Sequence, residues 1–590
     1  MSDRRPGASR QVDALIASVL GSMPTDEVIG VLERVSGHDR FQASDGLRAA
    51  AGLVAEAAEA AGLTSVGITD HPADGTARWW SFAAPMSWTP TRARADIVVA
   101  GATVLSLDQE RDPFAVATYS AATAGPTEAP LVRPADVRPG AVVVVDRETY
   151  ADGSLLPDLT DAGALGFVTD APTRTGPDGV AYRGRIELGL HSGLLAFSLT
   201  PGEFAEARRA ASAGGRCRVD VAVTRDASMP VVEGLLPGDD RLDEVWITAH
   251  LCHPRPSAND NASGVAALLG VATVLGRLPR RSGARPIRFL WGPEFVGTAA
   301  TLHDRLGPGR TGRPPHALVN LDMVGEDQDL CAAPFVVERP PDLRPSLFGP
   351  LAEHVVDRVF AATAEEPGDW SASPFLGFSD HALLADPGIA RPAVQLCHPA
   401  DRFNHSAGDT LDKVSPVEMR RSVTVAAVLT ALAADGGPGP VEWREIVAAW
   451  RGRELDTVAE VACAGGGEFG SGLRAYTARR IAAVESLLDR PGTPAAPSAA
   501  PRFAARRWEG PLNLRAMTEH LGADTRAELN GLVSQDKSTL SVLFHLAIRA
   551  DGRRTPEQMI AETSYELRRP VPQELGRRLL AALQESGWIG

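Results

Sequence analysis

The chain has 590 residues, of which 44% are hydrophobic and 23% are charged, a composition that supports several buried cores and about four domains. Asp and Glu (74) outnumber Lys and Arg (59), and the formal net charge of −15 argues against a general binder of nucleic-acid phosphates, which would be basic. The five cysteines are widely spaced and form no CxxC pair, so neither a disulfide framework nor a zinc knuckle is expected.

The amino-terminal segment does not have the pattern of a secretory signal. Its basic start, MSDRRPGASR, is not followed by an apolar run, because Asp13, Ser18 and Pro24 interrupt the nearest candidate. The sequence also contains no run of about 18 apolar residues that could span a bilayer. We therefore expect a soluble, cytoplasmic protein that has no membrane partner.

Residues 1–91 are predicted to contain the N-terminal helices and the start of the domain that resumes at residue 224. Apolar side chains recur at every third or fourth position through residues 26–63, and Gly62 is a plausible helix stop. From residue 92 to residue 223 the pattern changes to short β-branched runs separated by Pro and Gly turns. This change predicts a separate β-rich module inserted between the first helices and the region that follows.

Residues 224–437 alternate predicted strands with predicted helices. The strands are predicted at residues 245–250, 287–291, 317–323 and 393–397. This alternation indicates an α/β domain whose mixed, mostly parallel sheet is covered by helices on both faces. A capping box at Ser415-Pro416-Val417-Glu418 predicts the start of a last helix, which should end at Gly436-Gly437.

Three further segments complete the chain. Residues 438–490 are predicted to form a helical connector, and residues 491–501, PGTPAAPSAAP, have the composition of a Pro/Ala linker. Residues 502–590 resemble a winged-helix domain, in which Asp551-Gly552 would form a turn. From residue 501 onward 13 Lys and Arg stand against 11 Asp and Glu, which is thin support for DNA binding. We expect this domain to dock onto a protein partner, a second copy or the rest of the chain.

Histidine and carboxylate side chains follow the carboxyl ends of the four predicted strands. In chain order they are His250, His253, Asp260, Glu294, Asp322 and His405. In an open α/β sheet the crevice lies beyond these strand ends, so the side chains should meet in one cleft. Imidazole and carboxylate together suit catalytic zinc, which lowers the pKa of a water and polarises a carbonyl while a nearby carboxylate accepts the proton.

Each of these residues, taken singly, also has an ordinary structural explanation. Asp260 could cap the helix that follows it, Asp322 could hydrogen-bond a loop, and Glu294 could lie on a solvated edge. Their order at successive strand ends is what favours a metal site over these alternatives.

Residues 26–436 resemble zinc-dependent aminopeptidases of the family that includes bacterial secreted aminopeptidases, glutamate carboxypeptidase and the transferrin receptor ectodomain. The closest resemblance is to an aminopeptidase-like branch with a Cys-His-Pro motif. ANDNASG matches the segment whose aspartate, here Asp260, bridges two metal ions; NLDMVG matches a ligand segment and gives Asp322; NHSAGDT gives His405. GFSDHALLADPGIA, with Asp380 and His381, resembles the substrate-pocket region. The resemblance implies a zinc exopeptidase fold with a protease-associated domain at residues 92–223.

The first departure from the family pattern concerns the base. The family has Glu-Glu at this strand end, the first as general base and the second as a metal ligand, whereas this chain has Glu294-Phe295. By register Glu294 would be the base. The second metal would then be one ligand short, which favours a single zinc or a weak second site.

The second departure concerns the first histidine ligand. The family's His-x-Asp appears here as His250-Leu251-Cys252, followed at once by His253-Pro254. Either histidine could be the ligand; the Cys-His-Pro signature favours His253, and His250 is the second choice. A further Cys-His-Pro at residues 397–399 is expected to be structural.

We therefore expect a zinc-dependent exopeptidase, in the first place an aminopeptidase, that acts on a peptide or small amide with one or two zinc ions and with Glu294 as general base. Two alternatives stay open: a non-catalytic binding or regulatory protein on a peptidase scaffold, and a carboxypeptidase or deacylase. The first is disfavoured because a pure scaffold has no need to collect unneutralised carboxylates in one cleft. Nucleic acid is not an expected partner, whereas a homo-oligomer or a protein partner bound through the C-terminal domain is.

Overall fold

The structure is a computed structural model that describes residues 11–151, 154–190, 192–489 and 503–590. The predicted Pro/Ala linker lies outside these residues. The chain begins with three helices, one strand and a short hairpin: α1 (Gln11–Gly21), α2 (Thr25–Ser36), α3 (Asp45–Ala60), β1 (Thr64–His71), β2 (Arg78–Trp79) and β3 (Phe82–Ala83). Helix α3 starts where it does because the Ser44 side chain accepts a hydrogen bond from the amide of Leu47.

A β-rich unit is inserted next. Its elements are β4 (Thr89–Val99), β5 (Ala102–Asp108), β6 (Thr127–Val132), β7 (Val142–Val144), α4 (Arg147–Ala151), α5 (Leu155–Asp161), β8 (Gly166–Thr169), β9 (Arg174–Thr175), β10 (Ala181–Tyr182), β11 (Leu195–Ser198), α6 (Pro201–Ser212) and β12 (Arg216–Thr224). Seven of the strands form one sheet in the order β11-β8-β7-β6-β12-β4-β5. The first strand, β4, pairs with the last, β12, so the chain leaves the unit where it entered. The likeness of this unit to a protease-associated domain stays a prediction.

The region that carries the candidate site follows. Its elements are β13 (Met229–Leu236), β14 (Val245–His250), α7 (Gly264–Arg277), β15 (Ile287–Gly292), α8 (Val296–Leu306), β16 (Ala317–Leu321), α9 (Gln328–Cys331), β17 (Phe335–Glu338), α10 (Phe348–Ala362), β18 (Trp370–Ser373), α11 (His381–Ala385), β19 (Ala393–Cys397) and α12 (Pro416–Asp435). The four strands predicted from the sequence are β14, β15, β16 and β19.

These strands form an eight-stranded mixed sheet in the order β1-β13-β15-β14-β16-β19-β17-β18. The four central strands, β15, β14, β16 and β19, are parallel to their neighbours within this group, whereas β1, β13 and β17 pair antiparallel. The predicted mixed, mostly parallel sheet is confirmed. Because the central strands are parallel, their carboxyl ends lie along one edge, and the predicted polar residues follow these ends.

Helices cover both faces of the sheet. On one face α1, α2, α3, α7, α10 and α12 share a continuous apolar core with the sheet, and on the other face α8 and α11 pack against β14, β15 and β16. Helix α12 is capped by Ser415, whose side chain accepts a hydrogen bond from the amide of Glu418. The reciprocal half of the predicted capping box does not form, because the Glu418 carboxylate pairs with Arg421 instead. The helix ends at Gly436, which takes a left-handed φ of 87°.

The remaining helices form a hairpin and a C-terminal domain. They are α13 (Pro440–Gly465), α14 (Gly467–Ser486), α15 (Leu514–Glu519), α16 (Ala523–Gln535), α17 (Thr539–Ile548), α18 (Pro556–Glu566) and α19 (Gln573–Glu585). Isolated bridges join Ala505 to Asp551 and Arg506 to Ile589. The domain's apolar core also contains Phe375 from the preceding region. The likeness of residues 502–590 to a winged helix stays a prediction.

Among the described residues no single helix combines the length and apolarity needed to cross a bilayer. Helices α1 and α2 meet that test only as a pair, and they are bent by 68° relative to each other. Their side chains Val12, Ile16, Val28 and Leu32 are buried in the main core.

Helix α7 packs tightly against its neighbours, so we expect Gly270→Val to destabilise the protein. A Cβ at Gly270 would lie 2.8 Å from Val28 Cγ2 and 3.1 Å from Val423 Cγ2, and overpacking of this kind costs about 1–3 kcal/mol. Gly52→Val in α3 is the matched control, because a Cβ there meets no atom within 4 Å. Urea unfolding should show a lowered free energy of unfolding for the first variant alone; equal values for the two variants would contradict the packing described.

Candidate metal centre

Two groups of metal-binding side chains meet at the edge of the sheet and share Asp260. One group is His250, Asp260 and Asp322, and the other is His253, Asp260 and His405; within each group the donor atoms lie within 4.8 Å of one another. His250 Nε2 is 3.5 Å from Asp260 Oδ1 and 3.1 Å from Asp322 Oδ1. His253 Nε2 and His405 Nε2 are 3.4 Å and 3.2 Å from Asp260 Oδ2. Each oxygen of Asp260 therefore faces a different group.

The imidazole rings are oriented by backbone carbonyls. His250 Nδ1 lies 2.8 Å from the Cys252 carbonyl oxygen, and His253 Nδ1 lies 3.0 Å from that of Arg255. A carbonyl only accepts, so each Nδ1 donates and each Nε2 is left to face the carboxylates, as in metal sites whose histidines are oriented by outer partners. Among the described residues, the buried His253 Nε2 has no hydrogen-bond partner.

The site carries negative charge that a bound cation would balance. Burial lowers the pKa of His253 well below its usual value, so this ring is neutral. Burial also acts to lower the pKa of His250, but the Asp322 carboxylate outweighs it and raises that pKa well above the usual value. A proton on His250 thus balances the negative charge of Asp322, as a bound metal ion would. Neutral imidazole and carboxylate form the nitrogen and oxygen donor set that suits zinc.

The loop that carries His253 and Asp260 is held by a residue from the connection between α2 and α3. The backbone of Arg40 pairs with that of His253 through two hydrogen bonds of 3.0 Å and 2.8 Å. Its guanidinium is completely buried and donates to the carbonyls of Leu251 at 2.9 Å and Ser257 at 3.2 Å. Burial lowers the pKa of Arg40 to about 10, so it stays protonated at neutral pH. Arg40 therefore holds the loop that carries His253 and Asp260 at two positions, Leu251 and Ser257.

Asp260 itself is fixed by its neighbours in the ANDNASG segment and by Asp409. The Asp409 carboxylate accepts from the amides of Asn259 at 2.7 Å and Asp260 at 3.0 Å. The Asn261 side chain donates to the Leu321 carbonyl at 2.9 Å and accepts from the Met323 amide at 2.9 Å. It thereby ties the Asp260 turn to the end of β16, from which Asp322 projects.

Glu294 lies on the turn after β15. Burial raises its pKa to about 8, and although His250 opposes the shift, the carboxylates of Asp322 and Asp380 add to it. Its amide donates to the sulfur of Cys252 at 3.2 Å. Within the described ranges its carboxylate has no hydrogen-bond partner. A free carboxylate with a pKa near neutrality can both accept and return a proton.

Phe295 stands where the resemblance noted in the sequence would place a second glutamate. Its ring packs against the apolar cluster of the C-terminal domain, and its amide donates to Asp380 Oδ1 at 2.6 Å. His253 completes the second donor group in its place, so each group has three donors. The structure therefore places both His250 and His253 at the site, each in its own group, and Cys252 in neither.

Comparison with known proteins identifies this region. Residues 231–430 match the model of Peptidase family M28. Over these residues the sheet domain is similar to the peptidases of family M28, and it is called the M28 domain here. No curated protein matches the chain in sequence.

Solved structures share the fold of the M28 domain, and one of them superposes on nearly the whole chain. A candidate peptidase of Clostridium acetobutylicum is 14% identical and superposes with a TM-score of 0.51, covering 98% of this chain and 99% of its own. BSAP, a zinc aminopeptidase of Bacillus subtilis, is 17% identical with a TM-score of 0.50, covering 70% of this chain and 97% of its own. At these identities the likeness is one of fold. The first match includes the inserted unit and the C-terminal domain.

The inserted unit lies against the segment that carries His405. Gly184 pairs with Ser406 in an isolated bridge, the amide of Arg185 donates to the His405 carbonyl at 2.8 Å, and the amide of Ala407 donates to the Arg183 carbonyl at 2.9 Å. The segment that carries His405 therefore runs beside the insert.

Several residues that shape the M28 site were not found from the sequence. Arg40 and Glu338 lie outside the motifs, and their roles depend on contacts with distant segments. Asp409 belongs to NHSAGDT, so its place in that motif was a usable signal. Asp380 was expected in the substrate-pocket region and lies beside the Glu294 turn, whereas His381 pairs with Glu338 at 2.6 Å and is in neither donor group.

The raised pKa values predict how stability depends on pH in the metal-free protein. A carboxyl group whose pKa is raised in the folded state contributes stability that is present below its ordinary pKa and lost as the pH rises through the folded value. Those values are about 6 for Asp380 and about 8 for Glu294. Histidines with lowered pKa values, among them His253, His398 and His545, act in the opposite direction up to about their ordinary pKa of 6.5. We therefore expect the free energy of unfolding of chelator-treated protein to fall as the pH rises from about 7 to about 9.

Glu294→Gln should make that fall shallower, because it removes the group with the folded pKa of about 8. Urea unfolding at several pH values measures the slope. Glu56→Gln, at an exposed position, should keep the wild-type slope. A Glu294→Gln slope equal to that of the wild type would contradict the assignment.

Proposed function

We propose that the chain is a zinc-dependent aminopeptidase with two zinc ions. His250 and Asp322 would hold one ion, His253 and His405 the other, and Asp260 would bridge them. The observation that carries this proposal is the division of the Asp260 carboxylate, whose Oδ1 faces the first group and whose Oδ2 faces the second. Groups of three protein donors, which leave a fourth position for water, are the arrangement of a catalytic rather than a structural zinc site.

The residues of the chain would divide the remaining work among them. Bound zinc would lower the pKa of a water and polarise the scissile carbonyl. Glu294 would accept a proton from that water and deliver it to the leaving amine, because its carboxylate is free and its raised pKa suits both steps. Asp380 would hold the turn that carries Glu294 through the Phe295 amide. Arg40 and Asn261 would keep the bridging carboxylate in place.

The preference for the amino end of the peptide is supported by the fold that the chain shares with the Bacillus subtilis zinc aminopeptidase. The donor groups by themselves would serve hydrolysis at either peptide end. A carboxypeptidase or a deacylase with the same centre, and a scaffold without activity, are therefore the outcomes against which the proposal is tested.

Metal content tests the two donor groups. Purified wild-type protein, expressed with added zinc and then dialysed, should contain about two zinc ions per chain by elemental analysis. His250→Ala and His253→Ala should each retain about one ion, because each removes a ligand from one group only, and Asp260→Ala should lose both. His520→Ala, at an exposed position of the C-terminal domain, should keep the wild-type content. A wild type with a single ion that survives His253→Ala would contradict the second site.

A substrate panel tests the reaction. Aminoacyl-p-nitroanilides with a free amino group should be cleaved in a chelator-sensitive way, and their N-acetylated forms should not. Glu294→Gln should lower kcat by about 100-fold or more at unchanged zinc content, because general base catalysis of this kind contributes about 10²–10⁴-fold. Cleavage of blocked peptides only would indicate a carboxypeptidase or deacylase. No cleavage by zinc-loaded protein would favour the scaffold.

A further inference from the structure

Residues 374–380, here named the site loop, connect strand β18 to helix α11 beside the metal centre. The loop ends at Asp380, whose Oδ1 accepts a hydrogen bond of 2.6 Å from the amide of Phe295. Phe295 has a left-handed φ of 57°, an unfavourable conformation for a bulky residue that its surroundings must maintain. The position of Glu294, one residue earlier, therefore depends on where the site loop holds Asp380.

The M28 domain anchors the site loop from one side. Glu338, buried at the end of β17, accepts hydrogen bonds from the amides of Leu376 at 2.7 Å and Gly377 at 2.8 Å, both at Oε1. The same oxygen lies 2.6 Å from His381 Nε2. Gly377 has a φ of 77°, in the region that favours glycine, so the loop turns sharply above this carboxylate.

The C-terminal domain anchors the site loop from the other side. His545 Nε2 donates to the Phe375 carbonyl at 2.7 Å, and His545 Nδ1 accepts from Arg549 at 2.8 Å. Burial, with Arg549 adding to it, lowers the pKa of His545 to about 3, so the ring is neutral with its proton on Nε2. Arg549 in turn is paired with the buried Glu566. These partners leave His545 one orientation, in which it donates to the loop.

Apolar packing adds to this contact. The Phe375 ring is completely buried and lies 5.5 Å from Phe544 and 5.3 Å from His381 between ring centres. Phe375 is part of the apolar core of the C-terminal domain rather than that of the sheet. Among the described residues of the loop, Phe375 is the one buried aromatic side chain, and it belongs to the core of another domain. Part of the order of the loop should therefore depend on the docking of that domain.

A second contact holds the far end of the same segment. Asp386, directly after helix α11, is completely buried; its Oδ1 accepts from Arg506 at 2.7 Å and its Oδ2 from the amide of Leu512 at 3.0 Å. The C-terminal domain therefore contacts the segment formed by the site loop and α11 near both of its ends, at Phe375 and at Asp386.

We propose that His545 is a positioning residue of the peptidase site, through which the C-terminal domain holds the site loop and thereby Asp380 and Glu294 in their working geometry. This inference rests on the proposed function, because Glu294 matters for turnover only as the base. It assigns the C-terminal domain to the catalytic unit itself. An external protein partner would have to bind another surface of this domain, because the surface around His545 is covered by the site loop.

The test compares two substitutions at one position in the full-length, zinc-loaded protein. His545→Leu removes the donor to the loop, whereas His545→Gln keeps an N–H of similar reach. His545→Leu should lower kcat by about 10- to 100-fold, the effect of displacing a reacting group by about 1 Å, with KM and zinc content little changed. Hydrogen exchange of the site-loop amides should become faster. His545→Gln should restore both properties most of the way, and His520→Leu, on the surface of the same domain, should affect neither.

The outcomes distinguish a positioning role of His545 from a purely stabilising one. They also distinguish failure of this inference from failure of the proposed function. Assays are run well below the melting temperature of each variant, so a lowered melting temperature with wild-type kcat and wild-type loop exchange would overturn the inference. Equal damage from Leu and Gln would overturn it as well. If the zinc-loaded wild type cleaves no substrate, the proposed function fails. Loop exchange still decides whether His545 holds the loop: faster exchange in His545→Leu alone supports the contact, and unchanged exchange overturns it.

Discussion

The site depends on one constraint, which is that a single buried carboxylate serves two neighbours. Asp260 faces His250 with one oxygen and His253 and His405 with the other, so a small displacement of its backbone would disturb both groups at once. The protein meets this constraint with short hydrogen bonds to backbone atoms. Arg40, Asn261 and Asp409 each tie the segment around Asp260 to a different part of the fold. Backbone contacts of this kind leave the side-chain oxygens of Asp260 free for the metal.

Electrostatics explains why the surrounding pKa values are so strongly shifted. Asp260, Glu294, Asp322 and Asp380 lie close together and largely out of water, which is costly unless cations or protons balance them. In the metal-free protein, protons balance these charges. One is held on His250, whose pKa is raised by Asp322, and one on Glu294, whose pKa is raised by burial. Cations would replace those protons when metal binds, so metal binding and proton release are linked. In the proposed reaction, the same burial that makes the apoprotein sensitive to pH would prepare Glu294 for proton transfer.

The parts of the site that could be predicted from the sequence are those determined locally. Strands β14, β15, β16 and β19 are short apolar runs, and a side chain that follows a parallel strand must lie at the carboxyl edge of the sheet. This rule is enough to bring His250, Glu294, Asp322 and His405 together. Arg40, Glu338 and His545 could not be predicted in this way, because each acts on a segment that is distant in sequence. No local pattern marks a buried arginine or histidine whose partners are backbone carbonyls of another domain.

By itself, the sequence determined the class of fold, the edge of the sheet at which the chemistry lies, and the kinds of donor atom available. The tertiary structure decided how those donors are grouped. It placed His250 and His253 on opposite oxygens of Asp260, so that His253 completes the group in which Phe295 supplies no carboxylate. It also placed the C-terminal domain against the site loop. The reason is physical: periodicity reports how a segment faces its own sheet, whereas the sharing of a carboxylate or the docking of a domain depends on long-range contacts that no single segment encodes.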